Sequence, residues 1–205
     1  MESILGVDVV SLIKTVGLLG IALIVFAESG LFIGFFLPGD SLLFTAGFLA
    51  SQQLLDIRWL ILVSLMGAYL GDSVGYGFGH KIGPKIFKKE DSIFFHKKNI
   101  LYAQSFYEKY GGKTIILARF MPVVRTFAPI LAGVGKMRYH KFIFYNVIGG
   151  TLWVLGLSLL GYTLGRTIPN VDHYLLPIIA LIILVSVTPT SIHVLNTWRK
   201  QKSSI

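Results

Sequence analysis

Apolar runs of about twenty residues alternate with shorter polar stretches along this chain, the spacing expected of helices that cross a hydrocarbon core about 30 Å thick. Val9 to Ala27 is the first run, and Lys14 is its one charge. Glu2 and Asp8 precede it, where a signal peptide would carry a positive n-region. It therefore reads as a retained span, although Val25-Phe26-Ala27 loosely suits signal peptidase. Ser29 to Ser51 is apolar too, but Pro38-Gly39-Asp40 interrupts it. Each half is about ten residues, ~15 Å of helix, which reaches only the bilayer midplane. Proline removes a backbone donor and glycine loosens the turn. The pattern predicts a re-entrant hairpin over 29–51 with Pro38-Gly39-Asp40 at its tip. Broken backbone at that depth is tolerated only where it is buried in protein or lines a cavity.

Trp59 to His80 is the next span, with Gly67, Gly71, Gly75 and Gly79 giving one smooth face for close packing. Residues 81–113 turn polar, with eight lysines against Glu90, Asp91 and Glu108. They read as a cytoplasmic amphipathic segment on the membrane surface. Thr114 to Gly135 is apolar again yet contains Arg119, Pro122, Arg125 and Pro129, which predicts a second re-entrant hairpin over 114–135. Phe142 to Leu164 and Tyr174 to Leu195 are further spans, and 196–205 is a basic tail. The fold predicted is one all-α polytopic membrane domain over 1–205. It has a first half at about 9–80 and a second at 114–195, with about four transmembrane helices and two hairpins.

An internal repeat fits this layout. Ala46-Gly47 is followed 28 residues later by Gly75-Tyr76, and Ala132-Gly133 by Gly161-Tyr162 at the same distance. The two matches are 86 residues apart, and a proline stands upstream of each hairpin's glycine. The positive-inside rule puts 81–113, Lys136, Arg138, Lys141 and the tail in the cytoplasm. The first hairpin then opens outward, the second inward, and both termini are cytoplasmic. That is an inverted-topology repeat, whose interrupted segments point to a midplane transport site.

Composition sharpens the class. The chain of 205 residues is 54% apolar and only 14% charged, with mean hydropathy +0.70. A net charge of +9 would raise nucleic acid as a partner for a soluble protein, but here the basic residues sit between spans, where anionic headgroups meet them. No nucleic acid is expected, and membrane lipids are. Absence of cysteine excludes disulfides and thiolate chemistry. There is no Walker A lysine motif, no metal-ligand pair of histidines and no Ser/His/Asp constellation. No cofactor, metal or enzymatic activity is expected, and the pattern leaves room for a homo-oligomer.

Five charges lie in or beside apolar segments: Glu28, Asp40, Asp72, Arg119 and Arg125. Such groups usually face an interior and work there. Arg119 and Arg125 would point to different sides of an unbroken helix, but Pro122 between them allows both to converge on one substrate. Guanidinium forks match phosphate. The structural alternative is that both arginines pair with Glu28 and Asp40 and tie the hairpins together. Glu28 and Asp40 suit a proton carrier alternating between charged and neutral forms, and Asp40 also suits a helix N-cap after Pro38-Gly39. Asp72, among close-packing glycines, reads as a support that bonds a neighbouring helix. The histidines and the aromatics Tyr76, Tyr145, Tyr162, Trp153 and Trp198 read as interfacial or packing residues.

At Glu28-Ser29-Gly30, Phe36-Leu37-Pro38-Gly39-Asp40, Gly71-Asp72, Arg119-Phe120-Met121-Pro122-Val123-Val124-Arg125, Ala132-Gly133 and Gly161-Tyr162 with Gly165, the sequence resembles the DedA family of bacterial membrane proteins. That family shares a core with eukaryotic VTT-domain lipid scramblases. The resemblance implies a re-entrant-hairpin fold in the bacterial inner membrane and transport of a polyprenyl-phosphate carrier lipid, with undecaprenyl phosphate the preferred cargo. It implies linkage to the proton motive force, with Glu28 and Asp40 as proton-linked acids and Arg119 and Arg125 as the phosphate contacts. The other readings are a proton-coupled carrier of a small ion or solute, an enzyme acting on lipid phosphate, and a membrane scaffold.

Overall fold

The computed structural model describes residues 9–31, 37–86, 107 and 109–167. Of the expected amphipathic segment, residues 87–106 and 108 fall outside the described residues and 81–86 continue the helix that starts at Ile57, while the span Tyr174–Leu195 and the basic tail lie outside altogether. The described residues form α1 (Val9–Gly30), α2 (Gly39–Ser51), α3 (Ile57–Ile86), α4 (Lys113–Ala118), α5 (Pro122–Val134) and α6 (Tyr139–Thr167), with no strand among them.

Two of these helices are long and apolar enough to cross a membrane, over Ile57–Lys81 and Tyr139–Thr167. On α3 the exposed side chains Leu62, Met66, Leu70 and Val74 recur every fourth residue and cover one face. On α6 Phe144, Ile148 and Leu152 do the same. An apolar face turned outward at helical spacing is what lipid contact requires, since lipid gives such side chains no reason to turn inward. The glycines of α3 occupy the opposite side and let other backbones approach. A Cβ at Gly67 would lie 2.5 Å from the Ala22 carbonyl of α1, and one at Gly71 2.5 Å from the Phe26 carbonyl. Gly75 faces both Gly30 and Pro129, and Gly79 faces Ile130, so the same stripe continues onto α5.

Residue numbers rise together along these contacts, so α1, α3 and α5 run parallel. A second set is built on α6. Asp40 reaches Trp153, Gly47 packs on Ser158, and Gln52 Nε2 donates to the Gly165 carbonyl, so α2 runs parallel to α6. Ile116 packs on Gly149, which places α4 there too. Each long helix therefore holds an arm from both halves of the chain. Helices α2 and α5 also end alike. In each, three backbone N–H groups fold back on the last turn, and a non-glycine residue takes the left-handed conformation, Gln53 at φ 62° and Lys136 at φ 52°.

Three sequence expectations shift. The first run is not one straight span, because Gly17 (φ 60°, ψ −162°) breaks it. Its apolar part, Gly17–Gly30, is about 20 Å of helix. Glu28, Ser29 and Gly30 thus close α1 rather than opening a hairpin at Ser29. The break predicted at Pro38-Gly39-Asp40 is present, with Pro38 as the residue that caps α2 and Gly39 as the first residue of that helix. Asp40 is accordingly in the first turn of α2 and not its N-cap. The second break matches the expectation as well. Helix α4 stops at Ala118, and Pro122 starts α5, where a missing N–H leaves nothing unsatisfied.

Candidate functional site

The site forms where four of the helices end or begin. Arg119 is the residue just past α4, and Arg125 lies in the first turn of α5. Glu28 is near the last turn of α1, Asp40 in the first turn of α2, and Asp72 is midway along α3. Helix breaks place four of the charged side chains inside the bundle, and Asp72 is the one buried along a continuous helix. All five predicted charges come together there. Glu28, Asp72, Arg119 and Arg125 are 2%, 0%, 4% and 7% exposed, and Asp40 16%.

Their pairing is specific. Arg125 holds two acids at once: its Nη2 donates to Glu28 Oε1 and its Nη1 to Asp40 Oδ1. Arg119 pairs instead with Asp72: its Nη1 donates to Oδ1 at 3.0 Å, and its Nη2 lies 2.6 Å from Oδ2 as an ion-pair contact. The alternative in which both arginines share Glu28 and Asp40 is thus corrected. Asp72 is a full member of the cluster, and the Asn146 side chain lies beside it. Gly39 earns its place sterically, since a Cβ there would overlap the Glu28 carboxylate, whose Oε2 is buried against that backbone. Pro122 stands at the start of α5, which puts Arg125 in its first turn.

Trp153, expected only to pack or to join an aromatic belt, stands at the centre. Its Nε1–H donates to Asp40 Oδ1 at 2.7 Å, and the guanidinium carbons of Arg119 and Arg125 lie 5.2 and 4.9 Å from its ring centroid. An indole in an apolar span gave no sign of this, since belt tryptophans look the same in sequence. Asn146, an amide within a span, was the more legible clue. Among the described residues no group of three histidine or acidic side chains is placed to hold a metal.

Two long lipid-facing helices with paired charges buried between shorter ones define an integral membrane protein that keeps ionic groups inside its bundle. The chain belongs to the VTT-domain family, the DedA family of membrane proteins, whose domain model matches residues 37–163. Protein DedA of Escherichia coli K12 is 48% identical over 179 residues, covering 86% of this chain and 81% of that one. An uncharacterized membrane protein of Mycobacterium tuberculosis is 42% identical over 187 residues, covering 90% of this chain and 82% of its own. The inner membrane protein YqjA of Escherichia coli K12 is 34% identical over 148 residues, covering 70% and 66%. No solved structure matches the chain.

Proposed function

We propose that this chain is a proton-linked transporter of a lipid phosphate, with undecaprenyl phosphate the preferred cargo, across a bacterial inner membrane. The carrying observation is the charge count of the buried cluster. Two guanidiniums face three carboxylates, which leaves one negative charge in excess when all are ionised. A phosphate joining that set as it stands meets competition, because Arg119 already faces Asp72 and Arg125 already faces Glu28 and Asp40. Protonation of Glu28 and Asp40 removes both competitors from Arg125 and reverses the sign of the site. The anion then enters with the protons, and loss of the protons expels it. In this reading α1–α2 and α4–α5 are re-entrant hairpins of inverted orientation, the site lies between them, and the hydrocarbon tail stays in lipid.

A second reading is favoured by the pairing itself. Because Arg119 and Arg125 are both engaged, they also suit a purely structural role in a proton-coupled carrier of a small ion or solute. Labelled undecaprenyl phosphate in proteoliposomes separates the two. Wild type should move it under an imposed pH gradient, and Arg125→Lys, which keeps the charge and loses the fork, should lose most of that movement. Equal movement by Arg125→Lys would demote the arginine to a structural partner. Release of inorganic phosphate from the lipid would instead mark an enzyme.

A further inference from the structure

We infer that Trp153 is the positioning residue for both guanidiniums, a neutral seat that keeps Arg119 and Arg125 facing the site when protons release Glu28 and Asp40. The inference rests on the transport reading for its purpose and on geometry for its substance. Two like charges lie within about 5 Å of one ring centroid, an arrangement that their mutual repulsion opposes. In the ion-paired state the acids offset that repulsion. Once the acids are neutral, Arg125 has lost both of its ionic partners, and the indole face is the contact that remains. A ring attracts cations through its quadrupole without adding charge, so unlike a carboxylate it does not compete with an arriving anion.

The seat stands on a different helix from the acids. Glu28, Asp40 and Asp72 come from α1, α2 and α3, whereas Trp153 comes from α6 and is 4% exposed. Gly149 and Gly150 bring that helix close to the arginine-bearing segment. A Cβ at Gly149 would lie 3.1 Å from Ile116 Cα, and one at Gly150 3.2 Å from Arg119 Nη2. The indole also reports on Asp40, because Asp40 Oδ1 accepts from both Trp153 Nε1 and Arg125 Nη1. Neutralising Asp40 weakens both bonds at once, leaving Arg125 its contacts with Glu28 and the ring.

The test uses the full chain with Trp59→Phe and Trp198→Phe, which leaves Trp153 as its one indole. Trp153 emission should shift on Asp40→Asn, which removes the charge that its Nε1–H meets, and again on Arg119→Gln or Arg125→Gln, each of which takes a cation from its face. Emission unchanged by these variants overturns the inference. The second arm measures apparent affinity for undecaprenyl phosphate in proteoliposomes made from Trp153→Leu and Trp153→Phe. Leucine should weaken it about tenfold or more, and phenylalanine, which restores the ring face without the N–H, should recover most of that loss with an altered pH profile. Equal affinity of the leucine variant and wild type contradicts the seat. If wild type moves no lipid phosphate, the transport reading falls by itself, and the emission arm still decides whether Trp153 seats the arginines.

Discussion

Arg125 is the residue on which the site turns, because it alone bonds two acids from two helices. Removing one partner of a buried ion pair is costly, since the other charge is left in a medium that cannot solvate it. Arg125→Ala takes from Glu28 and Asp40 the guanidinium that both meet and should lower stability by about 3–5 kcal/mol, measured by thermal unfolding in detergent. Adding Glu28→Gln and Asp40→Asn should restore most of that stability without restoring transport. Recovery of transport by the triple variant would mean that the cluster only holds the helices together. The five charges were legible in the sequence because ionisable groups in apolar runs are conspicuous. Their partners were not. Which acid meets which arginine depends on where each helix breaks, and Trp153 resembles any interfacial aromatic until the fold brings two guanidiniums to it.

Helix breaks set where each element stops, and they were read with unequal success. Proline announces itself, so the α4–α5 break at Pro122 was readable. Gly17 does not, because a single glycine in an apolar run can remain helical, and only its positive φ shows the kink. The glycine stripe of α3 was readable as a packing face, and the structure adds which glycines are needed. A Cβ at Gly71 would press on the Phe26 carbonyl, whereas nothing lies within 4 Å of one at Gly77. Gly71→Ala should therefore destabilise the protein. Gly77→Ala should be neutral or stabilise it by roughly 0.5–1 kcal/mol through helix propensity. Equal melting temperatures of the two variants would contradict the packing.

The arms of the two halves are exchanged across the molecule, with α2 laid along α6 and α5 along α3. Directions follow from this exchange. Helix α2 ends beside the end of α6, where Gln52 meets Gly165, and α5 ends beside the aromatic cluster in which Tyr76 bonds the Met137 carbonyl. Gln53 and Lys136, the two left-handed residues, therefore lie at opposite ends of the bundle. The chain has no cysteine, so Gln53→Cys and Lys136→Cys can each be labelled alone. A membrane-impermeant thiol reagent should reach Gln53→Cys from outside and Lys136→Cys only from the cytoplasm. Labelling of both from one face would overturn the inverted arrangement. The repeat itself was visible in the sequence as matched glycines 86 residues apart, but not the exchange of arms, because a repeat records similarity and not which copy packs on which.

On the proposed transport reading, the anion and protons occupy the site together. The direct measurement is lumenal pH in proteoliposomes carrying a trapped indicator, with undecaprenyl phosphate added to the outer leaflet and no gradient imposed. Inward movement of the lipid should acidify the lumen in wild type, and Glu28→Gln should uncouple or abolish that signal while still inserting and folding. Lipid movement at constant lumenal pH would contradict the account.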